Sequence, residues 1–224
     1  MSKTQSNTTP TESVPQANYR RDELINALTH GVGLALSIVG GIILVVCAFS
    51  SADAWRVVGC GVFSMTLIAV YAFSTLSHSP FRPGLIRLFE RLDQGFIYLL
   101  IVGTYTPFAL VYLRTGGWWL LFVLMWTLAL SGCCCKIFFP HRINGVAVWT
   151  YVFLGWMPIM AAKPVLELIP GGALWGLLIG GLCYTFGTLF LVCNIKRFHF
   201  HAIWHMFVIA GSTAHFLTIL FYVA

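Results

Sequence analysis

Charge is what this sequence has least of. Among 224 residues there are 7 Asp or Glu and 13 Lys or Arg, 9% in all, where a soluble domain carries about a quarter. So few charges cannot cover a water-facing surface on a chain that is 58% hydrophobic. Strict polar/apolar alternation is also missing, which excludes an outer-membrane barrel. The residues before Tyr19 lack an apolar core, and the first apolar run is long enough to span, which excludes a secretory signal peptide. No two of the seven cysteines form a CxxC pair. Cys133, Cys134 and Cys135 are contiguous, and neighbours on a helix point about 100° apart, so they cannot converge on one metal. They read as small packing residues near a helix end. A GxSxG elbow is absent as well, which argues against a serine nucleophile.

What is present is a series of apolar runs, each near the roughly 20 residues that cross a bilayer. They are Leu24–Phe49, Trp55–Ser77, Leu92–Leu113, Trp118–Phe139, Val146–Ala162, Gly172–Asn194 and Phe200–Val223. The sequence therefore predicts an all-α, polytopic membrane protein with seven transmembrane helices. Residues 1–20, rich in Ser, Thr, Gln and Pro, read as a disordered cytoplasmic tail, and 21–224 as the membrane domain. With seven spans, one side holds Arg20, Arg21, Arg82, Arg87, Arg91, Lys136, Arg142, Lys196 and Arg197, and the other only Arg56, Arg114 and Lys163. The positive-inside rule then puts the N-terminus in the cytoplasm and the C-terminus outside, in the plasma membrane (the inner membrane of a bacterium). Trp55, Trp118, Trp119 and Trp175 fall at outer helix ends, as interfacial anchors do. The net charge of +6 is topology, with no sign of a nucleic-acid surface.

Polar groups inside membrane helices are expensive, so their placement points to function. His78 closes the second span at its cytoplasmic end, with Ser74 one turn deeper. Asp93 enters the third span from the same side, past a Pro-containing loop at Ser79–Arg91, and His201 and His205 open the seventh. Three helices distant in sequence thus bring Ser, His, Asp, His and His to one layer. Four residues apart, His201 and His205 share a helix face about 6 Å apart along the axis. Two imidazoles so placed suit adjacent vertices of a tetrahedral zinc, and His78 from a facing helix completes a three-ligand site with an open position. Asp93 and Ser74 then stand where hydrogen-bonding partners of the site are needed. The competing reading is that such histidines only bond between helices. His199 points to another face, and His215 lies about 15 Å deeper, where an interhelical hydrogen bond is expected. His141 reads as a solvated loop residue, and His30 as a supporting residue at the right depth.

Glu23-x-x-Asn26-x-x-Thr29-His30-x-x-Gly33, Ser74-x-x-x-His78, Asp93 in RLDQG and His201-x-x-x-His205 together resemble the progestin and adiponectin receptor family. The hemolysin III-like bacterial branch is the most similar in size and in its short tail. The resemblance covers the chain from about Arg21 to the C-terminus. It implies seven helices, a cytoplasmic N-terminus, and a zinc ion bound by His78, His201 and His205, with Asp93 and Ser74 contacting or orienting its water. The family groups with the alkaline ceramidases among membrane hydrolases, which implies cleavage of an amide or ester in a membrane lipid. The long N-terminal domain and ligand-binding surface of the animal receptors have no counterpart here, so receptor function does not carry over.

Three functions follow as expectations. The first is a zinc-dependent lipid hydrolase of membrane lipid homeostasis, with Asp93 as base or orienter and Ser74 as its hydrogen-bonding partner. The second is a non-enzymatic sensor or regulator with structural zinc, which a fourth protein ligand would favour. The third, a lytic pore, needs a file of polar residues through the bilayer, and the outer halves of the spans are nearly free of charge. The partners expected are zinc and membrane lipid.

Overall fold

A computed structural model describes residues 16–114, 117–140, 147–192 and 200–224, and all the regular structure among them is helical. In lipid the backbone has no water to bond, so a crossing segment must close its own hydrogen bonds, and a helix does so residue by residue. Helices α1 (Gln16–Ser50), α2 (Ala54–Ser77), α3 (Pro83–Tyr112) and α4 (Trp119–Phe138) come first. Next is a broken segment: α5 (Ala147–Trp156), a 3-10 turn (Met157–Ala161) and α6 (Ala162–Leu168). Helices α7 (Gly171–Val192) and α8 (Phe200–Tyr222) complete the chain. Six of these, α1 to α4, α7 and α8, are long and apolar enough to cross a membrane.

Two expectations change in detail. The loop expected over Ser79–Arg91 shrinks to 78–82, because Pro83 stands in the first turn of α3 behind an extended Arg82. A proline there loses no helical bond and its fixed φ favours the start. The charged stretch that follows continues α3 beyond its apolar part. The fifth run is not one helix. Pro158 opens the 3-10 turn and cannot donate to an i−4 carbonyl, so the regular ladder stops at Trp156. Of the predicted tail, residues 1–15 lie outside the described residues, and α1 begins at Gln16.

Helix association in lipid relies on close packing and not on expulsion of water. Helix α3 is the hub: 67% of its apolar window is buried, against 17% for α7. It contributes to both cores, one with Phe63, Leu67, Phe108, Trp204 and Ile219, the other with Tyr98, Val102, Met125 and Tyr151. Gly59 lets α2 meet α3 at Pro107, whose Cα would lie 2.8 Å from any added Cβ. Along α7 the small residues Gly176 and Gly180 receive Thr218 and His215 of α8. The outward faces are apolar side chains such as Leu28, Leu36, Ile42 and Val46 of α1, which suit acyl chains.

Contacts at the two ends fix relative direction. At one end His201 of α8 meets His78 beyond α2. At the other, Arg56 Nη1 donates to the Val223 carbonyl at 2.7 Å, and the Tyr112 hydroxyl donates to the Tyr222 carbonyl. Helices α2 and α8 are therefore antiparallel. Trp55 and Trp119 meet edge to face at that second end, with the Arg114 guanidinium 5.9 Å from the Trp55 ring.

Candidate metal centre

The end where α1, α2 and α8 converge carries the histidines. One ring nitrogen each of His78, His201 and His205 lies within 4.8 Å of the others, positioned to hold a metal ion. His78 projects from the C-cap of α2, and His201 and His205 from the first turns of α8. Burial deepens across the group: His201 is exposed, His78 partly buried, and His205 only 1% exposed.

The tautomers follow from the neighbours. Glu23 Oε2 lies 2.9 Å from His78 Nδ1, so Nδ1–H donates to the carboxylate and Nε2 keeps its lone pair. The Thr29 hydroxyl spends its proton on the carbonyls of Ile25 and Asn26, both at 2.9 Å. Its oxygen can then only accept from His205 Nδ1, 3.4 Å away, which leaves Nε2 of His205 free as well. A ligating imidazole is commonly held this way, through its other nitrogen. Nε2 of His78 and Nε2 of His201 are 3.2 Å apart, close to the edge of about 3.3 Å in a tetrahedron with metal–nitrogen bonds of about 2.0–2.1 Å. The donor set and its spacing fit a small divalent cation that favours imidazole.

Beside this group His30 stacks on His205, ring centroids 3.6 Å apart, and meets Tyr71 edge on at 5.1 Å. Gly33 gives Tyr71 its place, since a Cβ there would come within 2.6 Å of the ring. Glu23, Asn26, His30 and Gly33 recur at helical spacing, so one face of α1 supports the site. Of these, His30 was legible as a supporting residue, whereas the role of Glu23, like that of Thr29 beside the stripe, was not. The available signal was a polar stripe at i, i+3, i+7 and i+10 on a span otherwise facing lipid.

Asp93 and Ser74 are not among the three clustered nitrogens. They line, with His30, one end of a cavity of about 480 Å³ that continues between α3, α5, α7 and α8. Ser74 is 1% exposed and faces the Asp93 carboxyl, yet its Oγ has no partner at hydrogen-bond length among the described residues. Both His30 nitrogens are likewise unpartnered. Apart from these groups the cavity wall is largely apolar, with Ile97, Leu100, Ile101, Trp204 and Val208 among its residues.

The remaining expectations divide. His199 and His141 lie outside the described residues. His215 is buried but makes no interhelical hydrogen bond among the described residues; its ring packs 5.3 Å from Tyr184 and its Nδ1 is unpartnered. The position that would bond it is occupied by Gly180, which offers space and no side-chain donor. Cys133 is buried in a core, while Cys134 and Cys135 are exposed.

The helices and this site define a class: a multi-pass integral membrane protein whose polar residues gather in a three-histidine centre at one end. The chain belongs to the haemolysin-III related family, whose model matches residues 18–216, within the progestin and adiponectin receptor group. It is 43% identical to Hemolysin-3 of Bacillus cereus, over 92% of this chain and 93% of that protein. Identity to the Hemolysin-3 homolog of Bacillus subtilis (strain 168) is 39%, over 90% and 94%. The monocyte to macrophage differentiation factor of Homo sapiens is 26% identical, over 87% of this chain and 81% of that protein. No solved structure matches the chain.

Proposed function

We propose that this protein is a zinc-dependent hydrolase that cleaves an amide or ester bond in an acyl lipid of its own membrane. One observation carries the reading. A three-histidine group abuts, through His30, the polar end of a cavity whose remaining wall is mostly apolar. A purely structural zinc is served by a closed set of four protein ligands, and among the described residues the group whose ligand atoms lie within 4.8 Å of one another has three members, His78, His201 and His205.

His78, His201 and His205 would hold the ion, with Glu23 and Thr29 fixing two of the rings. When bound, zinc supplies Lewis acidity, polarising a carbonyl and lowering the pKa of a water toward 7. The chain's own residues do the rest. Asp93 accepts the proton as water oxygen bonds to the carbonyl carbon. It returns that proton to the departing nitrogen or oxygen as the C–N or C–O bond breaks. The Ser74 hydroxyl, free of other partners, orients the carboxylate or donates to the oxygen that gains charge. The apolar wall holds the acyl chain and keeps bulk water away from the reacting groups. Haemolysis, the activity in the relatives' name, would follow on this reading from altered lipid and not from a pore.

The test is release of fatty acid from a lipid extract by purified, zinc-loaded protein. Asp93→Asn keeps the shape and one oxygen but removes most of the basicity. It should retain zinc while activity falls by roughly 10²–10⁴-fold. Unchanged lipids with wild-type protein, or full activity in Asp93→Asn, would refute the assignment.

A further inference from the structure

The cavity is also lined by two buried polar side chains that the hydrolytic chemistry does not use. Tyr105 of α3 and His215 of α8 both line it, 7% and 5% exposed. The Tyr105 hydroxyl and His215 Nδ1 have no hydrogen-bond partner among the described residues. They lie deep: Tyr105 is about 18 Å along α3 from Asp93, and His215 about 15 Å along α8 from His205. Along these stretches of α3 and α8 the wall includes Leu100, Ile101 and Val208.

The imidazole is held in place. A Cβ on Gly180 would lie 2.5 Å from its Cε1 and Nε2, so glycine there creates its berth. The Tyr184 ring packs against it, but the Tyr184 hydroxyl is engaged with Ser212, which also accepts from Tyr71. Nothing in that network reaches Nδ1. Other polar residues of the wall, such as Thr104, Thr185 and Thr188, are bonded to backbone carbonyls, so these two orphaned atoms, at similar distances along their helices, make recognition points for a polar group on a long apolar ligand.

We propose that the cavity selects an acyl chain carrying a hydroxyl about a dozen carbons from its head, which hydrogen-bonds to Tyr105 and His215. The offset along the helices, about 15–18 Å by helix rise, is the reach of roughly a dozen methylenes. A hydroxyl both donates and accepts, so it satisfies a phenol and either imidazole tautomer. A carboxylate at this depth would bury an uncompensated charge. The proposal rests on the hydrolase reading for the acyl chain itself, yet it is a statement about binding and needs no turnover.

The experiment is competition between 12-hydroxystearic acid and stearic acid for purified full-length protein carrying fluorescent cis-parinaric acid. The hydroxy acid should displace the probe at about five- to tenfold lower concentration, the gain of one or two buried hydrogen bonds. Tyr105→Phe removes a single oxygen and should bring the ratio near one with stearic acid unaffected. His215→Leu should do the same, and a melting curve checks its fold. Equal displacement by both acids in wild type overturns the proposal and means that water alone meets these groups; the hydrolase reading survives. A preference that persists in both variants, or equal potency of 2-hydroxystearic acid, also overturns it. If neither acid displaces the probe, the acyl reading fails and takes this inference with it.

Discussion

At the scale of residues the centre is a problem of tautomers. A neutral imidazole has one bare nitrogen, and a partner at the other fixes which one it is; Glu23 and Thr29 do that for two of the three. Purified protein should therefore carry about one zinc per chain by elemental analysis, as one three-histidine site requires. His205→Ala, His78→Ala and His201→Ala should each lose it, and a full complement in His205→Ala would remove the ligand assignment. Glu23→Ala leaves every ligand in place but frees His78 Nδ1. Its zinc affinity, read by chelator competition, should drop by about 10–100-fold, the usual cost of losing such a partner. No change would mean that the 2.9 Å contact orients nothing. The three histidines were readable from the sequence because depth alone brings them together: each begins or ends a span on the same side. The parts played by Glu23 and Thr29 were not readable, because they depend on how α1 is rotated about its own axis against α2 and α8.

Helices were legible where hydropathy decides and illegible where backbone chemistry does. Long apolar runs mark α1 to α4, α7 and α8 within a few residues at most ends, since a lipid-facing helix must be apolar throughout. The start of α3 was missed because Pro83–Arg91 is charged and outside any apolar run, though proline in a first turn is a starting signal. The break at Pro158 was missed because hydropathy is blind to one absent N–H. Packing between elements is the third thing a hydropathy profile omits, and Gly59 tests it. A Cβ there would meet the Pro107 backbone at 2.8 Å, and backbone cannot swing aside as a side chain can. Gly59→Ala should lower the stability in detergent by about 1–3 kcal/mol. Gly61→Ala, with nothing within 4 Å, should be neutral or stabilising by a few tenths. Equal melting curves for the two variants would show that α2 and α3 are not seated on each other at this point.

For the whole molecule the broken segment decides how many times the chain crosses. Helix α4 ends at the histidine end, because Gly95, two residues past Asp93, packs against Cys133 and Ile137. Helix α7 starts at the opposite end, where Gly172 packs against Tyr222. The chain between them must travel from one end to the other. Tyr151 of α5 donates to the Gln94 carbonyl beside Asp93, so the segment enters at the histidine end and leaves by Ile169. A helix broken at membrane depth is tolerated where protein or a cavity covers the exposed carbonyls, and Trp156, Pro158 and Ala162 line the cavity. This supports seven crossings in which 147–168 is the fifth. Charge gives the expected orientation: Arg82, Arg87, Arg91 and Lys136 belong to the histidine end, Arg56 and Arg114 to the other. The metal centre would face the cytoplasm and Ala224 the outside. Reporter fusions after Phe139 and Val192 should be active only as cytoplasmic reporters, and fusions after Ile169 and Ala224 only as external ones. The Ile169 fusion is decisive. If it reports the same side as the Phe139 fusion, 147–168 does not cross, and His201 and His205 at the start of α8 cannot reach the side of His78.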